Sequence, residues 1–382
     1  MIIDFCKTTK MKIPLFIVAI FIYCSTSAQS SLKTKNVFII TTDGFRWQEL
    51  FSGADSAIIN NTDYVQDTSL IKEQYWDENV EERRKKLMPF FWTVIAKKGQ
   101  LYGNRTENSE VNVKNIFKIS YPGYNEILTG YADPLFIPNL RINNRNKNVL
   151  EFFNSQNEFN GKVVAFTSWN MFPNILNIKR SKININSGYD SAIDNGDEIN
   201  EKINEVQNQI AQKTHTRYDV LTSVSAKEYI NHNHPRLVFL SFGETDEFAH
   251  QNKYDKYLQQ ANSFDKMVAD LWYMIQTDPF YKDNTTFIIT TDHGRGQKTE
   301  SWHGHNCFTK GSGEIWLAMI GPDIAPLGEM HDAQKIYQNQ IASTAAMLMG
   351  EDFKTSHKTG KALALPVNPQ NTNEVAASVS TR

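Results

Sequence analysis

Cysteine is nearly missing: the 382-residue chain has three, at positions 6, 24 and 307. The first two fall in a leader-like segment, so Cys307 is left alone and no intramolecular disulfide can staple the mature chain. Long apolar runs are missing beyond that segment, which excludes a later helical membrane span. No basic tract occurs, and 40 Lys and Arg oppose 42 Asp and Glu for a formal net charge of −2. That balance excludes an extended nucleic-acid-binding surface. No low-complexity linker divides the chain, so one large domain is expected. Its stability must come from its core, and a chain this long can bury a large one.

The leader is read from order. Lys7, Lys10 and Lys12 precede the nearly all-apolar stretch 13–23, and Ser25-Thr26-Ser27-Ala28 follow. A basic region, a short apolar core and small residues make an export signal, with cleavage expected after Ala28. Met11 is an alternative start. Cys24 raises a lipoprotein alternative that the bulky Tyr23 fits poorly. Removal of residues 1–28 leaves 354 residues with 37 basic and 41 acidic side chains, a net charge of −4. The expected destination is periplasmic or extracellular. The expected domain runs over 29–368, and the small, polar residues 369–382 read as a disordered tail.

Apolar runs alternate with amphipathic ones throughout. Strands are expected at Val37–Thr42, Lys162–Thr167, Leu237–Phe242, Thr286–Thr291 and Ile315–Ile320. Tyr257, Ala261, Phe264, Val268, Leu271 and Ile275 recur at helical spacing, which predicts a long helix packed on a sheet. Gln340 to Met349 predicts another, closed by Gly350. The alternation predicts the α/β class, a three-layer sandwich with a mainly parallel central sheet.

The chemistry gathers at strand exits. Phe287-Ile-Ile-Thr-Thr-Asp292 runs into His293-Gly294, with Trp302-His303-Gly304-His305 close behind. The same hexapeptide occurs at 38–43, followed by Gly44. Parallel α/β sheets bind ligands at the carboxyl ends of their strands, which puts Asp43 and Asp292 on one edge. Carboxylates and imidazoles in so short a span suit a divalent cation. A third strand, 237–242, exits into Gly243-Glu244-Thr245-Asp246, with His250 one helical turn beyond Asp246. Ser120-Tyr121-Pro122-Gly123 reads as a helix start with Ser120 at the cap. A hydroxyl there lies in the field of a helix N-terminus and becomes a nucleophile if a metal lowers its pKa.

Taken in order, these motifs resemble the alkaline phosphatase superfamily, especially its nucleotide pyrophosphatase/phosphodiesterase-like branch. The resemblance spans roughly residues 36 to 350. It implies an alkaline-phosphatase-like fold and two divalent cations, zinc by ligand type with manganese as the alternative. It implies that Asp43, Asp292, His293 and Ser120 hold the first cation, and Asp246, His250 and His303 the second. His305 competes with His303 for that last place. Ser120 is implied as the nucleophile on a small-molecule phosphate mono- or diester. Asn139 is the candidate for a phosphate oxygen, with Asn143 and Asn144 nearby as alternatives. Arg46, directly after the Asp43 turn, is a candidate phosphate contact, and Trp47 a candidate stacking surface for the leaving group, with a fold-packing role the equal alternative for both. The chain lacks the Cys-x-Pro-x-Arg run that a formylglycine sulfatase needs, which favours phosphorus over sulfur. The alternatives are a phosphotransferase or mutase on the same scaffold, and a non-catalytic metal- or glycan-binding protein.

Overall fold

The computed structural model describes residues 32–135, 138–193, 198–331 and 335–366. The leader and the tail expected from sequence lie outside the described residues.

Eleven strands form two sheets among the described residues. They are β1 (Asn36–Thr42), β2 (Gly99–Tyr102), β3 (Glu110–Asn112), β4 (Val163–Thr167), β5 (Asn184–Ser187) and β6 (Leu237–Phe242), followed by β7 (Thr285–Thr291), β8 (Glu314–Ile315), β9 (Leu317–Ile320), β10 (Gly328–Glu329) and β11 (Lys335–Tyr337). The large sheet has the order β10-β2-β9-β7-β1-β6-β4-β5, and β11, β3 and β8 form a small one. Strands β7, β1, β6, β4 and β5 are mutually parallel, while β9 runs antiparallel to β7 and β2.

The central strands are apolar on both faces because both faces are covered. Phe38 and Ile40 of β1 enter one core and Val37 and Ile39 the other; β6 divides likewise, with Val238 and Leu240 against Leu237 and Phe239. The first core packs under the helix Tyr254–Thr277, as the stripe from Tyr257 to Ile275 predicts. The second core lies under the helices Ser120–Thr129 and Ile341–Leu348. Helix, sheet and helix make the three layers expected.

The expected strand 315–320 is broken. Glu314 and Ile315 pair in the small sheet, and Leu317–Ile320 in the large one. Trp316 is the pivot: it is fully buried, and its indole N–H donates to the Phe45 carbonyl at 2.9 Å.

Candidate active site

Strands β1 and β7 are neighbours in register, with Thr42 opposite Thr291. The two copies of the hexapeptide therefore end level, and Asp43 and Asp292 emerge side by side. Each carboxylate is split in the same way. Asp43 Oδ2 accepts from the Tyr124 hydroxyl at 3.0 Å, and Asp292 Oδ1 from the Gly44 N–H at 3.0 Å. The other two oxygens, Asp43 Oδ1 and Asp292 Oδ2, are buried with no hydrogen-bond partner. His293 Nε2 lies 3.4 Å from each of them. Its Nδ1 sits 3.0 Å from the Gly294 carbonyl and donates to it, which turns Nε2 toward the two oxygens. Burial and the charge of Asp43 push the Asp292 carboxyl well above its ordinary range. Burial disfavours the His293 cation, but Asp292 and Asp43 outweigh it and hold that pKa at about 9. Such a set needs a cation to stay ionised, and the unpartnered oxygens fit one.

Ser120 completes this group. It is the first residue of its helix, preceded by Ile119 at the cap, and no side chain caps that end. The expected cap role therefore falls away. Its hydroxyl Oγ lies 3.4 Å from His293 Nε2 instead. The helix can come this close because Gly123 faces the Asp292 backbone: a Cβ there would stand 2.5 Å from the Asp292 carbonyl oxygen. Asn139 Oδ1 accepts from the Tyr121 N–H at 2.9 Å. That bond fixes the amide beside Ser120, and its Nδ2 has no partner among the described residues. Asn144 is spoken for elsewhere, its Nδ2 donating to Asn125, and Asn143, exposed, turns its Oδ1 to Asn174.

A second group lies against the first. Asp246, His250 and His305 bring their ligand atoms together within 4.8 Å of one another, as Asp43, Asp292 and His293 do. His250 Nε2 is 3.2 Å from Asp246 Oδ2 and 3.0 Å from His305 Nε2. The His305 ring stacks on His293 with centroids 3.7 Å apart. His305 Nδ1 faces the Lys118 carbonyl at 3.3 Å, which again turns Nε2 inward as the lone-pair atom.

Three expected roles are placed differently. His303 stays outside the second group, and His305 stands where it was expected. Trp302, fully buried against Tyr254 and Tyr257, pins the loop, and the His303 backbone carbonyl accepts from Arg295. Arg46 does not reach the site. Its guanidinium is 1 % exposed, paired with Glu49, and donates to the Gly296 carbonyl at 3.0 Å. The charge needed to bury Glu49 occupies it completely. Trp47 likewise donates its indole N–H to Glu314 at 3.1 Å.

Besides Tyr124 on Asp43, sequence reasoning missed three positioning residues. Arg295, fully buried, donates to the Gly44 carbonyl at 2.7 Å, to the His303 carbonyl and to Asp246, and so ties both groups together. Asp219 accepts the Gly243 and Glu244 N–H groups at 2.8 and 3.0 Å, capping from outside the helix Glu244–His250 that carries Asp246 and His250. Gln338 holds the Asp292 carbonyl at 2.7 Å. Arg295 had one signal, its place two residues after His293; Asp219 and Gln338 had none.

This sheet, with its strand exits gathered at one edge, defines the alkaline-phosphatase-like fold, and solved structures share it. The lipoteichoic acid synthase LtaP from Listeria monocytogenes aligns with a TM-score of 0.56 at 10% identity over 87% of this chain and 76% of that one. The wild-type alkaline phosphatase PafA aligns at 0.55 and 10% identity over 88% and 99%. An alkaline phosphatase superfamily protein from Vibrio parahaemolyticus aligns at 0.51 and 13% identity over 89% and 73%. No curated protein sequence matches the chain. Residues 54–348 match the family described as type I phosphodiesterase / nucleotide pyrophosphatase, and the chain belongs to it. It is a phosphoric ester hydrolase. The match takes in Ser120 and both histidine-bearing loops but begins after Asp43, whose role rests on geometry.

Proposed function

We propose that the protein is an exported two-metal phosphohydrolase that cleaves phosphodiesters through a phosphoseryl intermediate. One observation carries the reading. Two buried carboxylates each spend one oxygen on the protein and aim the other, unpartnered, at His293 Nε2. Asp43, Asp292, His293 and Ser120 would hold one cation, and Asp246, His250 and His305 the other. Bound there, the two cations supply charge neutralisation to the serine oxygen, the phosphoryl group and the leaving oxygen.

The chain's own residues do the rest. The helix start presents Ser120 Oγ toward the phosphorus and adds its positive end to the anion's field. Oγ bonds to phosphorus as the bond to the leaving oxygen breaks, and the alcohol departs with the serine's proton. Asn139 Nδ2 is free to hold a non-bridging oxygen through both steps. Water then attacks the phosphoseryl group, and as the Oγ–phosphorus bond breaks one of the water's protons goes to Ser120 Oγ. Tyr124 keeps Asp43 turned, and Arg295 keeps Asp246 turned. Family membership supports the diester preference, and the leader-like segment supports export. Amino-terminal sequencing of exported protein should begin near Gln29.

The test is Ser120→Ala on bis(4-nitrophenyl) phosphate at saturating zinc. We expect kcat to fall by about three orders of magnitude or more, with fold and second-group metal retained. A kcat within a few-fold of wild type would overturn the role of Ser120.

A further inference from the structure

Strands β4 and β5 run parallel to β6, so their exits lie on the same sheet edge as Asp43 and Asp292. A cleft of about 340 Å³ opens there, lined by none of the residues assigned above to metal or nucleophile. Asn170 follows β4, and Tyr189 and Asp190 follow β5. Lys213 and Thr214 come from the segment that bridges Trp169 at Thr216, and Arg141 closes the near side.

The cleft adjoins the catalytic group through two of its walls. Arg141 lies two residues past Asn139, and the next residue, Ile142, accepts the Tyr121 hydroxyl at 2.6 Å. Asn170 follows Trp169, whose ring centroid is 6.5 Å from that of Tyr124, the residue holding Asp43.

Its charges are unspent. The Arg141 guanidinium is exposed and has no ion pair or hydrogen bond among the described residues. The Lys213 ammonium sits over the Tyr189 ring at 5.6 Å and has no carboxylate partner there. The one acid on the wall, Asp190, turns its carboxylate to the Ser187 N–H at 3.1 Å. Behind that turn lies a third cation, the fully buried Arg217, bonded to Asn186 at 2.6 Å. Two cations without carboxylate partners, one of them resting on an aromatic face, suit an anion on a short polar chain. The volume is of the order of a small ligand pocket, roughly 300 Å³ and upward.

We propose that this cleft binds the second arm of the phosphodiester substrate, and that this arm carries an anion of its own, a phosphate or a carboxylate. The inference rests on the hydrolase reading of Ser120 and names the substrate class for that site. Unpaired cations at the mouth would draw such a substrate and fix which ester oxygen faces the serine.

The experiment compares 4-nitrophenyl phosphodiesters whose other arm is 3-phosphopropyl, 3-carboxypropyl or butyl. Wild type should favour the anionic arms over butyl in kcat/KM by about five- to tenfold, the size of two exposed ion pairs acting together. The preference should shrink as salt rises. Arg141→Gln combined with Lys213→Gln should bring all three arms within about twofold and leave the butyl rate unchanged. Preference for one anionic arm identifies phosphate or carboxylate as the natural anion; equal preference supports the shared chemistry. No preference in wild type, a preference that survives in the double variant, or an equal fall on the butyl ester overturns the proposal. Failure of the hydrolase reading is distinct: wild type would then turn over none of the three esters. In that event calorimetry with propyl phosphate decides, since equal affinity for wild type and double variant overturns the cleft as an anion site.

Discussion

His303 and His305 are two residues apart, and only one belongs with Asp246 and His250. Replacing each in turn separates the assignments. His305 Nε2 lies 3.0 Å from His250 Nε2 and has its lone pair fixed by the Lys118 carbonyl. A zinc site of four ligands binds with about 10–16 kcal/mol, so one ligand is worth about 3 kcal/mol on average. At about 1.4 kcal/mol per decade, His305→Ala should weaken the second cation about a hundredfold. His303 contributes its backbone carbonyl to Arg295, and that carbonyl survives in His303→Ala. Its zinc affinity should stay within about threefold of wild type, since no ligand atom is lost. Competition against a chromophoric chelator reads both stoichiometry and affinity. Wild type should show two tight equivalents, His303→Ala two, and His305→Ala one tight and one weak. Loss of an equivalent in His303→Ala with two retained in His305→Ala would refute the assignment of the loop.

Three further outcomes follow from the packing. Arg46→Gln should cost about 3–5 kcal/mol in denaturant unfolding, because Glu49 is left buried and uncompensated, while kcat of the folded fraction stays near wild type. Gly123→Ala must move the serine helix off the Asp292 carbonyl, and an ångström of misplacement predicts a kcat about a hundredfold lower with secondary structure intact by circular dichroism. Glu126 is fully buried, and desolvation raises its carboxyl from 4.5 to about 7. The unfolded chain releases this proton first, so the group's stabilisation is complete below its unfolded value and lost as pH rises toward 7. Glu126→Gln should flatten that part of the stability–pH curve by at most about 3.5 kcal/mol, at about 1.4 kcal/mol per pKa unit, read from denaturant melts across that range.

Much of this was legible in the chain, for local reasons. Strands β1, β6 and β7 are buried on both faces, so they read as plain apolar runs, and their acidic exits announced the site. The unread strands are those whose polar residues find partners inside the protein. Gln100 of β2 donates to the Ala325 carbonyl at 2.9 Å, and Asn186 of β5 accepts from Arg217. Neither pairing leaves a trace in hydropathy. The choice between His303 and His305 depended on the burial of Trp302, a contact with the helix Tyr254–Thr277 far away in sequence. Arg46 looked like a phosphate ligand because it follows the candidate metal-binding turn; Glu49, three residues on, claims it first. Asp219 caps its helix across 24 residues of chain to Gly243, beyond the reach of any local capping pattern.

The doubled hexapeptide carries a hazard of its own. Two nearly identical strands, side by side, can slide past each other by two residues and still bury every apolar side chain on its proper face, since pleat alternation repeats with that step. Hydrophobic packing alone scarcely penalises such a slip. The displacement would be about 7 Å at roughly 3.3 Å per residue, enough to pull Asp43 away from Asp292 and leave no common point for a cation. On the two-metal reading, metal capture at this edge would act as a proofreading step, rewarding the one alignment that sequence repetition leaves ambiguous. A chain that bound metals there would, by that fact, have been checked at the centre of its sheet.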